Sequence, residues 1–269
     1  MNSRRVMAAG AVGLAVFALL WELLVRALDV KPFILLAPTR IASELADRPS
    51  YYLGAMGVTA RHAVLGLAIA IAGALLLGAL LSTSRFLEHA VQPVLMLILV
   101  APWVAYFASI VVWLGRGDPP VIFLVAFVTT PAYVFATVAG LRSADPDARE
   151  VLRSVDASRA EVLLRLRLPS ALPALLATSR YGAALALAAA YYGEGGNLTS
   201  VGLGAIGRRA ASAQSGAVLW ASVVATVLLG VALLVAIAAI ERVALRWHVS
   251  QRRAPHDDGG DRGAVTPPA

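Results

Sequence analysis

Residues 141–173 read LRSADPDAREVLRSVDASRAEVLLRLRLPSALP, and this stretch decides how the rest of the chain is understood. It carries six arginines (142, 149, 153, 159, 165 and 167), yet it lies between long apolar runs. Asp145 followed by Pro146 suits a helix start: the carboxylate accepts orphan amide protons, and proline at the first helical position needs no amide partner. Arg149 and Arg153, four apart, then share a helix face. A break falls at Val155–Asp156–Ala157. Ser158–Arg159–Ala160–Glu161 has the S-x-x-E form of a capping box and opens a second helix. Val162, Leu163, Leu166 and Leu168 fall on its apolar side. Leu168–Pro169 is expected to end it, because proline disfavours helical geometry in the residue before it. Two short amphipathic helices in a charged loop suit a groove on a partner. From physics alone, a pair of helices lying on anionic lipid is an equal alternative.

Around this loop the chain is 59% hydrophobic and only 14% charged over 269 residues, with mean hydropathy +0.76. Soluble domains are closer to 45–50% apolar and about 25% charged. Runs of about 20 apolar residues are long enough to cross a bilayer. Six occur, at Val6–Val25, Val58–Leu81, Val91–Leu114, Pro120–Leu141, Ala171–Tyr192 and Ala217–Ile240. The expected fold is therefore an all-α polytopic membrane protein with about six transmembrane helices. The first run has a basic start, but it is longer than a signal-peptide core and lacks a clear cleavage site, so it reads as a retained anchor. The expected organisation is one transmembrane domain over residues 1–248, with the charged loop at about 142–170, and a disordered cytoplasmic tail over 249–269.

The net charge of +7 is explained by topology rather than by nucleic acid. With the N-terminus inside, fourteen basic residues fall on the inner side and seven on the outer, the asymmetry of the positive-inside rule. Both termini are then cytoplasmic. No cysteine is present, which excludes disulfides and thiolate metal sites. Arginine-for-lysine usage in an alanine-rich chain points to a GC-rich bacterial genome.

Several further residues stand out. Glu194 follows Tyr191, Tyr192 and Gly193 at the outer end of the fifth run. It reads either as a gate or solute contact, or as an interfacial carboxylate in water. The tyrosines read either as stacking partners for a solute or as an aromatic belt. Trp103 after Pro102 marks a kink, with core packing ahead of pathway lining. Arg61 and His62 are expected at the outer interface. Arg180 either snorkels or pairs across the bundle, with snorkelling preferred.

The loop resembles the EAA loop of ABC-importer permeases. Glu150-Val151-Leu152 falls on E-A-A, Asp156 on the following glycine, Ala157-Ser158-Arg159 on a common A-S-R, and Leu168-Pro169 on the terminal Leu-Pro. Pro173 and Arg180 match positions just beyond. The likeness runs from about Phe33 to Leu245 and is closest to the nitrate/sulfonate/taurine-type group, through LAPTRIASEL (36–45), TARHAVLG (59–66), APWVA (101–105), VVWLG (111–115), TVAGLRSADP (137–146) and VGLG (201–204). Related permeases carry thiamine precursors or riboflavin-like compounds. The departures are Val151 and Leu152 for the alanines, Asp156 for the glycine, and a missing second proline near Phe107 and Ala108. Asp is among the few residues that tolerate the left-handed conformation glycine would supply.

The resemblance implies the type I ABC importer permease architecture in a bacterial inner membrane. It implies a second permease subunit (a homo- or heterodimer), ABC ATPase subunits and an extracytoplasmic substrate-binding protein as partners, beside membrane lipid and without nucleic acid. The coupling residues it picks out are Glu150, Arg153, Asp156, Ala157, Ser158, Arg159, Leu168 and Pro169. Trp103, Tyr191, Tyr192 and Glu194 are candidates for the translocation pathway. ATP and Mg belong to the ATPase, so no cofactor is expected on this chain, and no G-x-x-x-x-G-K-[ST] occurs. A degenerate, non-coupling half of a heteromeric permease is the alternative that the departures raise. An ion-coupled secondary transporter is a further alternative, though it needs carboxylates at mid-membrane depth. A membrane enzyme lacks any candidate: the histidines are dispersed, with no H-E-x-x-H and no G-x-S-x-G.

Overall fold

A computed structural model describes residues 3–32, 34–197 and 201–245. The tail over 249–269 lies outside the described residues. Eleven α-helices are present among the described residues: α1 (Ser3–Ala27), α2 (Pro38–Asp47), α3 (Pro49–Leu81), α4 (Arg85–Val100), α5 (Trp103–Leu114), α6 (Asp118–Arg142), α7 (Pro146–Ser154), α8 (Arg159–Val162), α9 (Leu168–Gly196), α10 (Leu203–Ser212) and α11 (Gly216–Ala244).

The centre of the bundle is α6, packed against α3 on one side and α9 on the other. The seams are built from small and β-branched residues: Ala63, Ala70 and Ala74 of α3, Val121, Val125 and Val134 of α6, and Ala183, Ala186 and Ala190 of α9 are all buried. Lipid tails are as apolar as these side chains, so close backbone approach rather than hydrophobic segregation holds such helices together. Gly66 shows how close the approach is: a Cβ there would lie 2.4 Å from Val125 Cβ. By contrast, α1 packs mainly against α2 and leaves Leu14, Phe17 and Leu20 exposed.

Among the described residues, five helices are long and apolar enough to cross a membrane, and a sixth crossing requires α4 and α5 to be counted together. The third expected span is not a single helix: α4 and α5 meet at a 100° bend. Ala101, preceding Pro102, has φ −62° and ψ 136°, the extended geometry that proline imposes on its predecessor. Pro102 then leads into α5 without an amide to donate. The kink expected at Trp103 is thus a break. The second span begins earlier than hydropathy indicates, at Pro49, and its 33 residues make about 50 Å of helix, well beyond a hydrocarbon core of about 30 Å.

The charged loop folds as its caps dictate. The Asp145 carboxylate accepts the Asp147 amide proton at 3.0 Å, with Pro146 in the first turn. Ser158 and Glu161 cap each other reciprocally as a capping box. Between the two helices Asp156 has φ +52°. The Asp156 amide donates to the Arg153 carbonyl at 3.1 Å and the Ala157 amide to the Leu152 carbonyl at 3.0 Å, which is a Schellman ending with Asp in the glycine place.

One expectation about the loop fails. Leu168–Pro169 does not end the second helix, because α8 runs through a π-helical turn, Leu163–Arg167, directly into α9. The Leu168 amide donates to the Leu163 carbonyl, five residues back. The wider turn moves backbone away from the Pro169 ring, which in a regular helix strikes the carbonyl four residues earlier. Leu168 itself stays helical, at φ −64° and ψ −47°.

Candidate functional site

At the end of the bundle opposite the charged loop, four helices meet around one buried carboxylate. Glu194, in the last turns of α9, has no exposed surface. Its Oε1 lies 2.8 Å from His62 Nδ1 on α3. Its Oε2 accepts the Thr59 hydroxyl at 2.9 Å and the Gly204 amide at 2.9 Å. The Thr59 oxygen in turn accepts the Leu203 amide at 2.9 Å, so the first two amides of α10 end on this cluster. His62, also fully buried, presents Nε2 to Asp118 Oδ1 at 3.1 Å, near enough for an ion pair although outside hydrogen-bond geometry. Asp118 opens α6 and is also paired with Arg61. A ring with a carboxylate oxygen at each nitrogen is satisfied at both only when both nitrogens carry protons. In that state Arg61, His62, Asp118 and Glu194 sum to zero charge. Buried charges persist only when paired and hydrogen-bonded in this way.

The glycines of VGLG belong to the same construction. A Cβ on Gly202 would lie 2.2 Å from the Glu194 carboxyl carbon, and one on Gly204 would lie 1.8 Å from the Tyr191 carbonyl oxygen. Only glycine lets the chain pass over Glu194 and deliver its amides. Asn197, also buried, donates from Nδ2 to the Gly117 carbonyl and accepts the Gly117 amide at 3.4 Å, pinning the turn before Asp118.

This arrangement corrects several expectations. Glu194 is not a water-exposed carboxylate, and His62 is enclosed within the bundle; only Arg61 of that pair is exposed. Arg180 meets Glu241 of α11, with Nη2 2.6 Å from Oε2, so it pairs across the bundle rather than simply snorkelling. The four pathway candidates do not converge. Trp103 and Phe107 meet Tyr192 edge-on, with ring centroids 5.5 and 5.9 Å apart, and the Tyr192 hydroxyl donates to the Val104 carbonyl at 3.2 Å. Tyr191 turns towards α11, its hydroxyl 3.2 Å from Ser222 Oγ. Both tyrosines border a cleft of about 350 Å³ with Gly195, Gly196 and Arg208, while Glu194 lies behind it. Thr59, Asp118, Asn197 and Gly202 are not singled out as site residues by the sequence, and His62 is expected there only at the outer interface. The available signal was polar residues within or beside apolar runs, and it does not say which of them meet.

At the loop end, Val151, Val155 and Leu164 expose 65, 69 and 64% of their surface among exposed Glu150, Arg153, Asp156, Ser158 and Arg159. Ala157, Leu168 and Pro169 are half-buried. Large apolar side chains on a capped, arginine-bearing pair of short helices form a protruding contact surface.

A multi-helix bundle with a structured polar loop at one end and a buried charge cluster at the other defines a polytopic membrane protein. The chain belongs to the family described as binding-protein-dependent transport system inner membrane component, whose model matches residues 56–246. It is 28% identical over 235 residues to the formylaminopyrimidine transport permease protein of Halalkalibacterium halodurans, covering 86% of this chain and 92% of that one. It is 31% identical over 168 residues to the riboflavin transport system permease protein of Chloroflexus aurantiacus, covering 62% of each. The taurine transport system permease protein of Escherichia coli is 25% identical over 176 residues, covering 63% of this chain and 64% of its own length. In three dimensions the chain is similar to an inward-facing methionine ABC transporter, with TM-score 0.65 and 17% identity, covering 74% of this chain and 98% of that one. An amino acid ABC transporter gives TM-score 0.56 at 15% identity, covering 74% and 96%. This is a permease component of a binding-protein-dependent ABC importer.

Proposed function

We propose that this subunit moves a small solute of the kind its relatives are named for, a formylaminopyrimidine-, riboflavin- or taurine-like compound, and that α7 and α8 dock an ATPase that drives the movement. The observation that carries the reading is the exposed pair of capped helices, which projects Val151, Val155 and Leu164 into water beside Arg153 and Arg159. In this reading the loop and both termini are cytoplasmic, a binding protein delivers solute at the α10 end, and a second permease subunit completes the channel. ATP is hydrolysed by the partner. The cleft between Tyr192 and Arg208 is the candidate solute path, bounded by the Trp103–Tyr192–Phe107 cluster. Glu194, enclosed on every side, holds α3, α9 and α10 together rather than touching solute.

The test is co-expression with a candidate ABC ATPase of the same genome, followed by affinity purification in detergent. Arg153→Glu with Arg159→Glu should lower ATPase recovery by about tenfold or more, as loss of charge-assisted contacts implies, while the melting midpoint of the permease stays unchanged. Full ATPase recovery by a folded double variant would overturn the assignment of the loop.

A further inference from the structure

A cleft of about 650 Å³ lies between the end of α3 and the charged loop, lined by Ser82, Thr83, Arg149, Arg153, Arg159 and Arg167 among others, with no carboxylate in its wall. The other two arginines of this segment have partners: Arg142 pairs with Glu88 and Arg165 with Glu161. Arg149, Arg153, Arg159 and Arg167 have no ion pair among the described residues. Arg167 is half-buried, and its Nε donates to the Leu141 carbonyl at 3.1 Å. That bond fixes the guanidinium and leaves its terminal amino groups for another acceptor. Arg142 and Arg149 stand close enough to repel it. The hydroxyls are engaged elsewhere, since Ser82 donates to the Ala79 carbonyl at 2.7 Å and Thr83 to the Leu80 carbonyl at 2.6 Å. The arginines therefore supply the donors.

We infer that this cleft binds a phosphate-bearing anion, held by the guanidinium groups of Arg149, Arg153, Arg159 and Arg167. Converging like charges without a counter-charge favour a multivalent anion over a neutral ligand. Guanidinium forks match phosphate oxygens in pairs, and the space exceeds a bare phosphate and suits a phosphate ester. The cleft also sits where apolar helix gives way to polar loop, the depth of a lipid headgroup. Leu76 and Leu80 of α3, just above it, are exposed and suit an acyl chain. The shared chemistry is a phosphate mono- or diester, from an anionic lipid or a soluble phosphate compound. The site shares Arg153 and Arg159 with the face proposed to dock the ATPase, so its test rests on Arg149 and Arg167, which that proposal does not use.

Native mass spectrometry of the delipidated full chain tests this, with phosphatidylglycerol against phosphatidylcholine in one arm and glycerol phosphate in the other. The wild type should retain phosphatidylglycerol, or bind glycerol phosphate, about tenfold better than Arg149→Gln/Arg167→Gln. Arg165→Gln, outside the cleft, should match the wild type. A preference among lipids alone identifies a headgroup site, and binding of glycerol phosphate alone identifies a soluble ligand. If the double variant melts early, Arg149→Lys/Arg167→Lys keeps the charge and should bind with intermediate strength, because an ammonium lacks the planar fork. Equal binding by wild type and folded variants in both arms overturns the site. So does loss of ATPase recovery with both anions bound as before, since the cleft would then receive an acidic group of the ATPase.

Discussion

Replacing Glu194 by glutamine should destabilise the bundle by several kcal/mol, and the geometry says why. Glutamine keeps one acceptor oxygen, which can still serve the Thr59 hydroxyl and the Gly204 amide, both 2.9 Å from Oε2. Its amide nitrogen then faces His62 Nδ1, 2.8 Å away in the parent, so donor meets donor and the ring loses one of its two carboxylates. Removing one partner from a buried pair costs about 3–5 kcal/mol, or roughly a hundredfold to several thousandfold in the folding equilibrium at 1.4 kcal/mol per tenfold. His62→Gln should cost a similar amount by taking the imidazole from Glu194 Oε1 and leaving the buried carboxylate only its Thr59 and Gly204 donors. The two together leave a pair of neutral amides able to bond each other, so the double variant should cost at least about 2 kcal/mol less than the sum, a coupling of the size seen for contacting buried groups. The assay is equilibrium unfolding in mixed micelles by denaturing detergent, followed by tryptophan fluorescence. Single-variant costs that simply add, within about 0.5 kcal/mol, would refute the idea that His62 and Glu194 act as one charged unit.

Other outcomes follow from the same geometry. Asp156→Gly relieves a left-handed residue and should stabilise the turn by up to about 1 kcal/mol. It should also raise transport-coupled ATP hydrolysis in reconstituted vesicles; equal or lower hydrolysis contradicts a coupling role for the turn. Ser158→Ala removes half of the capping box and should cost about 1 kcal/mol locally, visible as faster amide hydrogen exchange over residues 159–162. Gly204→Ala should cost about 1–3 kcal/mol or more by overpacking, since the new methyl falls on the Tyr191 carbonyl; fluorescence-detected size exclusion should show loss of the monodisperse peak. Arg180→Met breaks an exposed pair with Glu241 and should change stability by no more than about 1 kcal/mol in the same micelle titration.

What could be read from the sequence was local. The charged loop was legible nearly to the hydrogen bond, because Asp145, Pro146, Ser158 and Glu161 act within three residues of themselves and Asp156 within its own turn. Most apolar runs were legible because hydrophobicity accumulates over 20 residues regardless of what packs outside. Most of the failures originate in contacts between distant elements. Pro102 marks an interruption but not its angle, and the 100° turn between α4 and α5 is set by packing. Pro169 favours a stop, yet a π turn removes the steric objection and α9 continues. Glu194 and His62 are 132 residues apart, and nothing near either one indicates that they touch. Arg180 and Glu241, 61 apart, are the same case at the surface.

The uninterrupted run from Arg159 to Gly196 has a mechanical consequence. Its 38 residues amount to about 57 Å at the helical rise, so one continuous helical rod, with a π turn at Leu163–Arg167 and Pro173 inside it, begins inside the charged loop and ends within a turn of Glu194. A jointed connection at Leu168–Pro169 would have absorbed movement of the loop as a hinge. Without that joint, a tilt at Arg159 travels the length of the rod, and its far tip is fastened to Thr59, His62 and Gly204. Under the ATPase-docking proposal, the rod is a lever gripped at Glu194 and pushed at the loop. In that arrangement, force from the loop would reach α3 and α10 at the contacts of Glu194 with Thr59, His62 and Gly204.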